Sequence, residues 1–228
     1  MIIKQLFEKA TSTYTYLIAD EATGKAALID PVLDTVERDL ALVEELGFEL
    51  NYVLDTHVHA DHVTAAGEVR NRTGAVVLGS ALGAKCVDRQ VADGDVIELG
   101  GLEIRVLETP GHTDDSLSYV VGDNVFTGDT LLVRGTGRTD FQNGDAVELY
   151  RSITEKLFAL PENTKVWPGH DYKGHTATSI DEERRFNPRV AGKSKSEFVE
   201  IMNDLGLPRP ARIDVAVPAN RECGRTAH

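Results

Sequence analysis

The chain has 228 residues, of which 41% are hydrophobic and 27% are charged. This composition is typical of a soluble globular protein whose core is large enough to fold without a metal or a disulfide. The net charge of −13 excludes a broad nucleic-acid surface, because phosphate binding needs clustered lysine and arginine. No window approaches the ~18 apolar residues of a membrane span, and the first ten residues do not resemble a signal peptide. We therefore predict a cytoplasmic protein that binds neither nucleic acid nor membrane.

The chain has two cysteines, Cys86 and Cys223, which lie far apart in the sequence. They do not form the spacing pattern of a disulfide framework, and a reducing compartment is the simpler interpretation. We expect each cysteine to be a buried small apolar residue without a role in the chemistry.

Strand and helix patterns alternate along the chain. The predicted elements of the first half are strands over 14–19 and 25–29, a helix over 34–46, a strand over 50–54, a helix over 63–73 and a strand over 75–78. Those of the second half are strands over 95–99, 102–108, 116–121 and 124–127, a helix over 145–157 with Asp145 as N-cap, a strand over 165–167, and helices over 178–186 and 194–205.

These elements form two successive halves, each with strands followed by helices. Such an order predicts two sheets with helices on the outside, an α/β fold of four layers, αββα. No proline- or serine-rich linker separates the halves, so we expect a single domain over residues 1–228. Residues 207–223 have no clear periodicity and are predicted to form a packed, irregular tail after the last helices.

Four predicted strands run directly into loops that carry histidine or aspartate. These loops begin at Asp55-Thr56-His57, Pro110-Gly111-His112, Gly128-Asp129 and Pro168-Gly169-His170. Loops at strand ends meet at one edge of a sheet, which is a usual place for a functional site.

The first loop is the richest, because His57, His59, Asp61 and His62 fall within six residues. Burying these groups without a cation would be costly, and imidazole and carboxylate together suit transition metals such as zinc and iron. We therefore predict a metal site rather than a polar surface loop, and we expect the other three strand-end loops to contribute to it. The two histidines without this context, at positions 175 and 228, are predicted to be surface residues.

The histidine motifs resemble those of a known superfamily. The run H-V-H-A-D-H at 57–62, G-H-T at 111–113, G-D-T at 128–130 and P-G-H at 168–170 occur in the order found in the metallo-β-lactamase superfamily. The resemblance implies the αββα sandwich, with the metal at one edge of the two sheets.

A narrower resemblance lies in the second half. The segments R-G-T-G-R-T-D-F-Q at 134–142, G-H-D-Y-K-G at 169–174 and V-P-A-N at 217–220 are similar to those of the persulfide dioxygenase (sulfur dioxygenase) family. Thr136 departs from the pattern, since some members carry cysteine there. The resemblance implies an enzyme that oxidises glutathione persulfide with O₂ and water to sulfite and glutathione, and it suggests a homodimer.

The same resemblance implies one Fe(II) per chain, bound by His57, His112 and Asp129. Two histidines and one carboxylate form the facial triad of oxygen-activating iron, which leaves positions open for substrate and O₂. The other candidate groups of the site then either orient the iron ligands by hydrogen bonds or bind a second ion, and their spacing does not decide between these roles. They are His59, Asp61, His62 and His170.

Three further residues are candidates for the substrate side of the site. Arg134 and Arg138 are predicted to bind the two carboxylates of glutathione, because guanidinium suits bidentate carboxylate binding. A structural salt bridge is the alternative for each. Tyr172 is predicted to be catalytic, binding the substrate through a hydrogen bond, and simple packing is its alternative.

Two other functions compete with this prediction. A two-zinc hydroxyacylglutathione hydrolase of the glyoxalase II type would use the same histidines and aspartates, with a metal-bridging hydroxide attacking a thioester. A metal-binding sensor module is more distant, since it would not need so many ligands around open coordination positions. The motif around Arg138 and the C-terminal tail favour the dioxygenase.

Overall fold

The structure is a computed structural model that describes residues 1–225, so the prediction for His228 lies outside the described residues. Each of its two sheets has six strands, in chain order across the sheet. The first contains β1 (Ile2–Glu8), β2 (Thr13–Asp20), β3 (Lys25–Ile29), β4 (Glu49–Leu54), β5 (Val76–Ser80) and β6 (Arg89–Val91). The second contains β7 (Val96–Leu99), β8 (Leu102–Glu108), β9 (Leu117–Val121), β10 (Asn124–Gly128), β11 (Lys165–Pro168) and β12 (Thr178–Ser179).

Both sheets are mixed. In the first, β1 to β3 pair antiparallel and β3 to β6 pair parallel. In the second, only the β10–β11 pair is parallel. The helices are α1 (Val36–Glu45), α2 (Ala66–Thr73), α3 (Ala146–Arg151), α4 (Ile180–Phe186), α5 (Lys195–Asn203) and α6 (Ile213–Asn220). None of the helices within residues 1–225 has the length and apolar character needed to cross a bilayer.

Three apolar layers separate four layers of secondary structure. One layer lies between the sheets and contains Tyr16, Tyr119 and Phe126. A second packs α1 and α2 on the first sheet, and a third packs α3, α4 and α5 on the second sheet. The predicted αββα sandwich is therefore confirmed.

The helix caps follow the local sequence. Asp145 accepts hydrogen bonds from the backbone nitrogens of Val147 (2.7 Å) and Glu148 (3.1 Å), as predicted for an N-cap. After α3 the chain continues as a π turn over Ser152–Lys156 and a 3₁₀ turn over Leu157–Ala159. Ser194 and Glu197 form a capping box at the start of α5.

Several elements were not predicted from the sequence. Strand β1 is an edge strand of mixed exposure, and β6 and β12 have only three and two residues, so their periodicity is weak. The tail predicted to be irregular contains α6, whose internal Pro218 disguises its helical pattern. Helix α2 begins at Ala66 rather than at residue 63, because Thr64 forms a bridge with Val32.

The expectation of two separate cysteines is wrong, because Cys86 and Cys223 form a disulfide with Cα atoms 5.8 Å apart. The tail after α6 returns to the layer of α1 and α2, where Cys223 is buried. Their 137-residue separation hides this contact from any reading of cysteine spacing. The two cysteines therefore do not indicate a reducing compartment.

Candidate metal centre

The four loops of the predicted site lie together at one edge of the two sheets. His57 follows β4, His112 follows β8, Asp129 directly follows β10 and His170 lies two residues after the end of β11. Backbone hydrogen bonds join the sheets at this edge, and one of them runs from the amide of Leu117 to the carbonyl of Thr56 (2.7 Å). Residues of both sheets therefore fix the position of these loops.

His57, His112 and Asp129 form a three-residue cluster. One ligand atom from each lies within 4.8 Å of the others, and Nε2 of His112 is 3.7 Å from Oδ2 of Asp129. Two ligand atoms that each lie about 2 Å from one ion have separations of this order. The spacing therefore suits three ligands of one cation.

Hydrogen bonds orient the two imidazoles of this cluster. The hydroxyl of Thr56 donates to Oδ2 of Asp30 (2.9 Å), so it accepts from Nδ1 of His57 (3.0 Å). Nδ1 of His112 donates to the carbonyl of Arg138 (2.7 Å). Each ring therefore keeps the lone pair of Nε2 free for a metal.

Burial sets the charge state of the histidines. Burial and the neighbouring imidazoles hold the pKa of His57 and of His59 well below the ordinary value of 6.5. Neutral imidazole is the form that binds metals. Burial also acts to lower the pKa of His170, but the carboxylates of Asp129 and Asp61, each 3.6 Å from its Nε2, raise that pKa above 6.5.

His59, Asp61 and His62 form a second cluster of the same spacing. Within it, Nδ1 of His62 lies 2.9 Å from Oδ2 of Asp61. Within residues 1–225, the buried atoms Nδ1 of His59, Nε2 of His62 and Oδ1 of Asp129 have no hydrogen-bond partner. Buried polar atoms are rarely left unpaired, so the centre fits a bound cation.

Two glycines let backbone approach the ligands closely. Gly128, which precedes Asp129, has a φ of +49°, and a Cβ there would lie 2.4 Å from Oγ1 of Thr56. A Cβ on Gly137 would lie 2.6 Å from Nδ1 of His112. Side chains at these two positions would displace the residues that hold the cluster.

Two buried aspartates support the centre and were not identified from the sequence. Asp30 accepts from the amide of Thr56 (2.6 Å), and Asp115 accepts from the amide of Val58 (2.8 Å). Burial raises the pKa of both, and it raises that of Asp55 well above 3.8. Asp30 follows strand β3 directly, so the strand-end pattern used for the other loops was the available signal.

Comparisons with known proteins agree with this centre. The family model described as "Metallo-beta-lactamase superfamily" matches residues 9–85 and 87–170. The chain is 46% identical to the mitochondrial persulfide dioxygenase ETHE1 of Bos taurus, over 98% of this chain and 89% of that protein. The chain belongs to the persulfide dioxygenase family of the metallo-β-lactamase superfamily. It is therefore an enzyme, as predicted.

One solved structure supports this family assignment, and a relative from the competing hydrolase family is less similar to the chain. The crystal structure of ETHE1 from Myxococcus xanthus matches with a TM-score of 0.98 at 64% identity, covering 99% of this chain and 100% of that one. The hydroxyacylglutathione hydrolase of Rhodospirillum rubrum is 40% identical over 87% of this chain and 77% of that protein. The persulfide dioxygenase relatives are thus more similar over more of the chain.

The prediction of a cytoplasmic location is contradicted by these comparisons. The Bos taurus persulfide dioxygenase is named as a mitochondrial protein. The prediction came from the cysteine spacing, the residues at the start of the chain and the lack of a long apolar window, and none of these features determines a cellular compartment.

An open cavity of about 520 Å³ lies beside the cluster of His57, His112 and Asp129. His112 and Asp129 form part of its wall. Its wall also includes Arg134, Arg138, Tyr172, Arg189, Leu207 and Pro208.

Both predicted arginines line the cavity and also form ion pairs. The guanidinium of Arg134 contacts the carboxylates of Glu182 and Glu183. That of Arg138 pairs with Asp140 at 2.6 and 2.7 Å and donates to the carbonyl of Pro208 (2.6 Å). Each arginine therefore forms a salt bridge, which was the alternative prediction, and also lines the cavity.

Arg189 is a further cation of the cavity that was not identified from the sequence. Its Nη1 donates to the carbonyl of Thr136 (2.7 Å), and it forms no ion pair with the carboxylates of residues 1–225. Burial lowers its pKa. It precedes Val190, within a segment that gave no motif.

Tyr172 lies at the cavity, with 72% of its surface exposed. Its ring stacks on that of His170 at a centroid distance of 6.0 Å. Partial desolvation and the carboxylates of Asp129 and Asp61 raise the pKa of the phenol above 10.0. The hydroxyl therefore keeps its proton at neutral pH. His175, predicted to be a surface residue, is exposed.

Proposed function

We propose that the chain oxidises glutathione persulfide with O₂ and water to sulfite and glutathione, at one Fe(II) bound by His57, His112 and Asp129. The observation that carries this proposal is the cluster of two imidazoles and one carboxylate, of which His112 and Asp129 line an open cavity. Three protein ligands on one face leave coordination positions for two reactants. Bound there, Fe(II) would supply adjacent sites for the persulfide sulfur and O₂ and carry electrons between them.

The residues of the cavity hold the glutathione part in this proposal. Arg138 and Arg189 supply positive charge for its carboxylates, against a chain whose net charge is −13. Tyr172, with its proton retained, donates a hydrogen bond to the substrate. Binding the tripeptide away from the reacting sulfur fixes that sulfur beside the metal and so provides proximity and orientation.

Residues outside the triad orient it in the proposed enzyme. His59 places Nε2 3.1 Å from Oδ1 of Asp30, and Asp61 contacts His62 and His170. We propose that this network holds the ligand loops in place. The homodimer and the single domain stay predictions, and light scattering of the purified protein would measure the first.

The second candidate function is a two-zinc hydroxyacylglutathione hydrolase. One observation favours it, namely that His59, Asp61 and His62 can also surround an ion. In that enzyme the groups that orient the triad in the first proposal would themselves be ligands.

Oxygen uptake separates the two functions. Protein purified without oxygen and loaded with Fe(II) is mixed with glutathione persulfide, and O₂ and sulfite are followed together. We expect O₂ consumption that depends on the persulfide, with sulfite as product. Hydrolysis of a glutathione thioester by zinc-loaded protein, with no uptake of O₂, would show that the proposal is wrong.

Arg138→Ala is expected to raise KM for glutathione persulfide roughly tenfold or more, with a smaller change in kcat, because a hydrogen bond to a charged group contributes about 1.5–3 kcal/mol. Steady-state O₂ uptake at varied substrate measures both constants. Arg105→Ala, which removes an exposed arginine of β8, is the matched control. Unchanged kinetics in Arg138→Ala would remove this residue from the substrate site.

Tyr172→Phe is expected to lower kcat/KM about tenfold, because it removes one hydrogen-bond donor from the substrate. The ring and its stacking on His170 remain, and the side chain is largely exposed, so the melting temperature should stay the same. The measurement is O₂ uptake beside a thermal melt. If kcat/KM equals that of the parent, the role of Tyr172 is packing.

A further inference from the structure

The C-terminal tail contacts the metal-ligand loop through one side chain. Asn220, the last residue of α6, is 2% exposed. Its Nδ2 donates to the carbonyls of His59 (2.9 Å) and His62 (2.8 Å), and its Oδ1 accepts from the amide of Thr64 (2.8 Å). Both N–H donors and the carbonyl oxygen of the amide are thus used, and all three bonds go to backbone of the histidine loop and its continuation.

Further contacts fix the residues after Asn220 against α2, the helix that packs on the first sheet. The carbonyl of Cys223 accepts from the amide of Gly67 in α2 (2.9 Å). A Cβ on Gly67 would lie 2.6 Å from that carbonyl, so the tail packs directly against the helix backbone. The disulfide between Cys223 and Cys86 adds a covalent link three residues from Asn220.

We propose that Asn220 is a positioning residue of the metal centre and that the Cys86–Cys223 disulfide holds it there, so that the redox state of this cysteine pair sets how firmly the loop retains its metal. All three hydrogen bonds of Asn220 go to backbone of the loop and its continuation. Its effect on the loop therefore applies to any cation at the centre and does not depend on the substrate.

The redox step is a simple exchange. Two molecules of a low-molecular-weight thiol, or one dithiol, donate two electrons and two protons; the S–S bond of the protein breaks, both cysteines become thiols, and the reductant becomes a disulfide. Without the covalent link, α6 is held only by its packing and hydrogen bonds. Because coupling is reciprocal, metal bound at the centre should also make the disulfide harder to reduce.

Hydrogen exchange of the metal-free protein tests whether the disulfide holds the loop in place. Amide exchange of peptides within residues 57–67 is compared by mass spectrometry between oxidised protein and protein reduced with dithiothreitol and desalted. We expect exchange about fivefold faster or more after reduction, the lower end of ordinary coupling strengths. The double variant Cys86→Ala/Cys223→Ala is the control, and it should exchange like reduced protein whether or not it is treated.

Metal release tests the link to the centre. Oxidised protein and protein reduced with dithiothreitol and desalted are each loaded with Fe(II) and mixed with an excess of a coloured chelator, and the rate of iron capture is measured. We expect faster capture from the reduced protein. Asn220→Ala should release iron about 10–100-fold faster, the usual effect of losing a group that orients metal ligands. Leu157→Ala is the matched control for stability, because Leu157 is buried beneath the second sheet; it should lower the urea midpoint and leave the release rate unchanged.

Each part of the proposal has an outcome that overturns it. Equal exchange and equal iron release in oxidised and reduced protein would show that the disulfide does not hold the loop. A release rate in Asn220→Ala no faster than in Leu157→Ala would show that Asn220 acts only on overall stability. Neither readout uses O₂ or persulfide, so failure here is distinguishable from failure of the proposed oxidation.

Discussion

Asp129→Ala is expected to abolish metal retention and to lower kcat/KM for glutathione persulfide at least about 10³-fold. The carboxylate is the anionic member of the three-residue cluster, and its buried Oδ1 has no hydrogen-bond partner within residues 1–225. A bound metal supplies several kcal/mol to catalysis, and each 1.36 kcal/mol is about tenfold in rate. Metal analysis after gel filtration and O₂ uptake measure the two effects.

The control for Asp129→Ala is Asp123→Ala, which removes an exposed aspartate just before the start of the same strand. It should keep both metal and activity. Full metal content in Asp129→Ala would contradict the assignment of this residue as a ligand. Thermal melts of the metal-free proteins show whether either substitution has disturbed the fold.

Arg134→Met is expected to lower the free energy of unfolding by about 3–5 kcal/mol, since removing one partner leaves a buried charge uncompensated. The buried one of its two partners is Glu183, which is fully buried and also accepts from the amide of Arg134 (2.9 Å). For a chain of this size that corresponds to a fall in melting temperature of roughly 10 °C. Urea and thermal unfolding measure it.

Arg185→Met is the matched control. Arg185 pairs with Asp181 on the exposed side of α4, the helix that also carries Glu183. Surface pairs contribute about 0–1 kcal/mol, so little change is expected there. The same experiment separates the two roles of Arg134. A raised KM with an unchanged unfolding midpoint would favour the predicted contact with glutathione over the ion pair.

The layers of the fold could be predicted because the interior strands bury alternating or continuous apolar residues. Strands such as β3, β4 and β8 were located to within a residue, since each is bounded by turn residues. The edge strands β1 and β6 were missed because partly exposed strands lose that pattern. Helix α6 was missed because Pro218 lies within it, and its stability comes from tertiary contacts rather than from its own sequence.

The metal cluster could be predicted because its members follow strands and are too polar to bury without a cation. Two residues that contact the backbone of the first loop could not, since Asp115 and Asn220 are remote from that loop in sequence. The disulfide was hidden for the same reason. The ion pairs of Arg134 depend on α4, which carries Glu182 and Glu183. No local sequence pattern reveals where that helix packs.

The number of ions tests the central claim most directly. Metal-free protein is titrated with Fe(II) without oxygen, and persulfide-dependent O₂ uptake is measured at each ratio of iron to chain. A single centre formed by His57, His112 and Asp129 predicts that activity rises linearly and saturates at about one iron per chain. Activity that appears only as the ratio approaches two, or that needs zinc instead of iron, would contradict it.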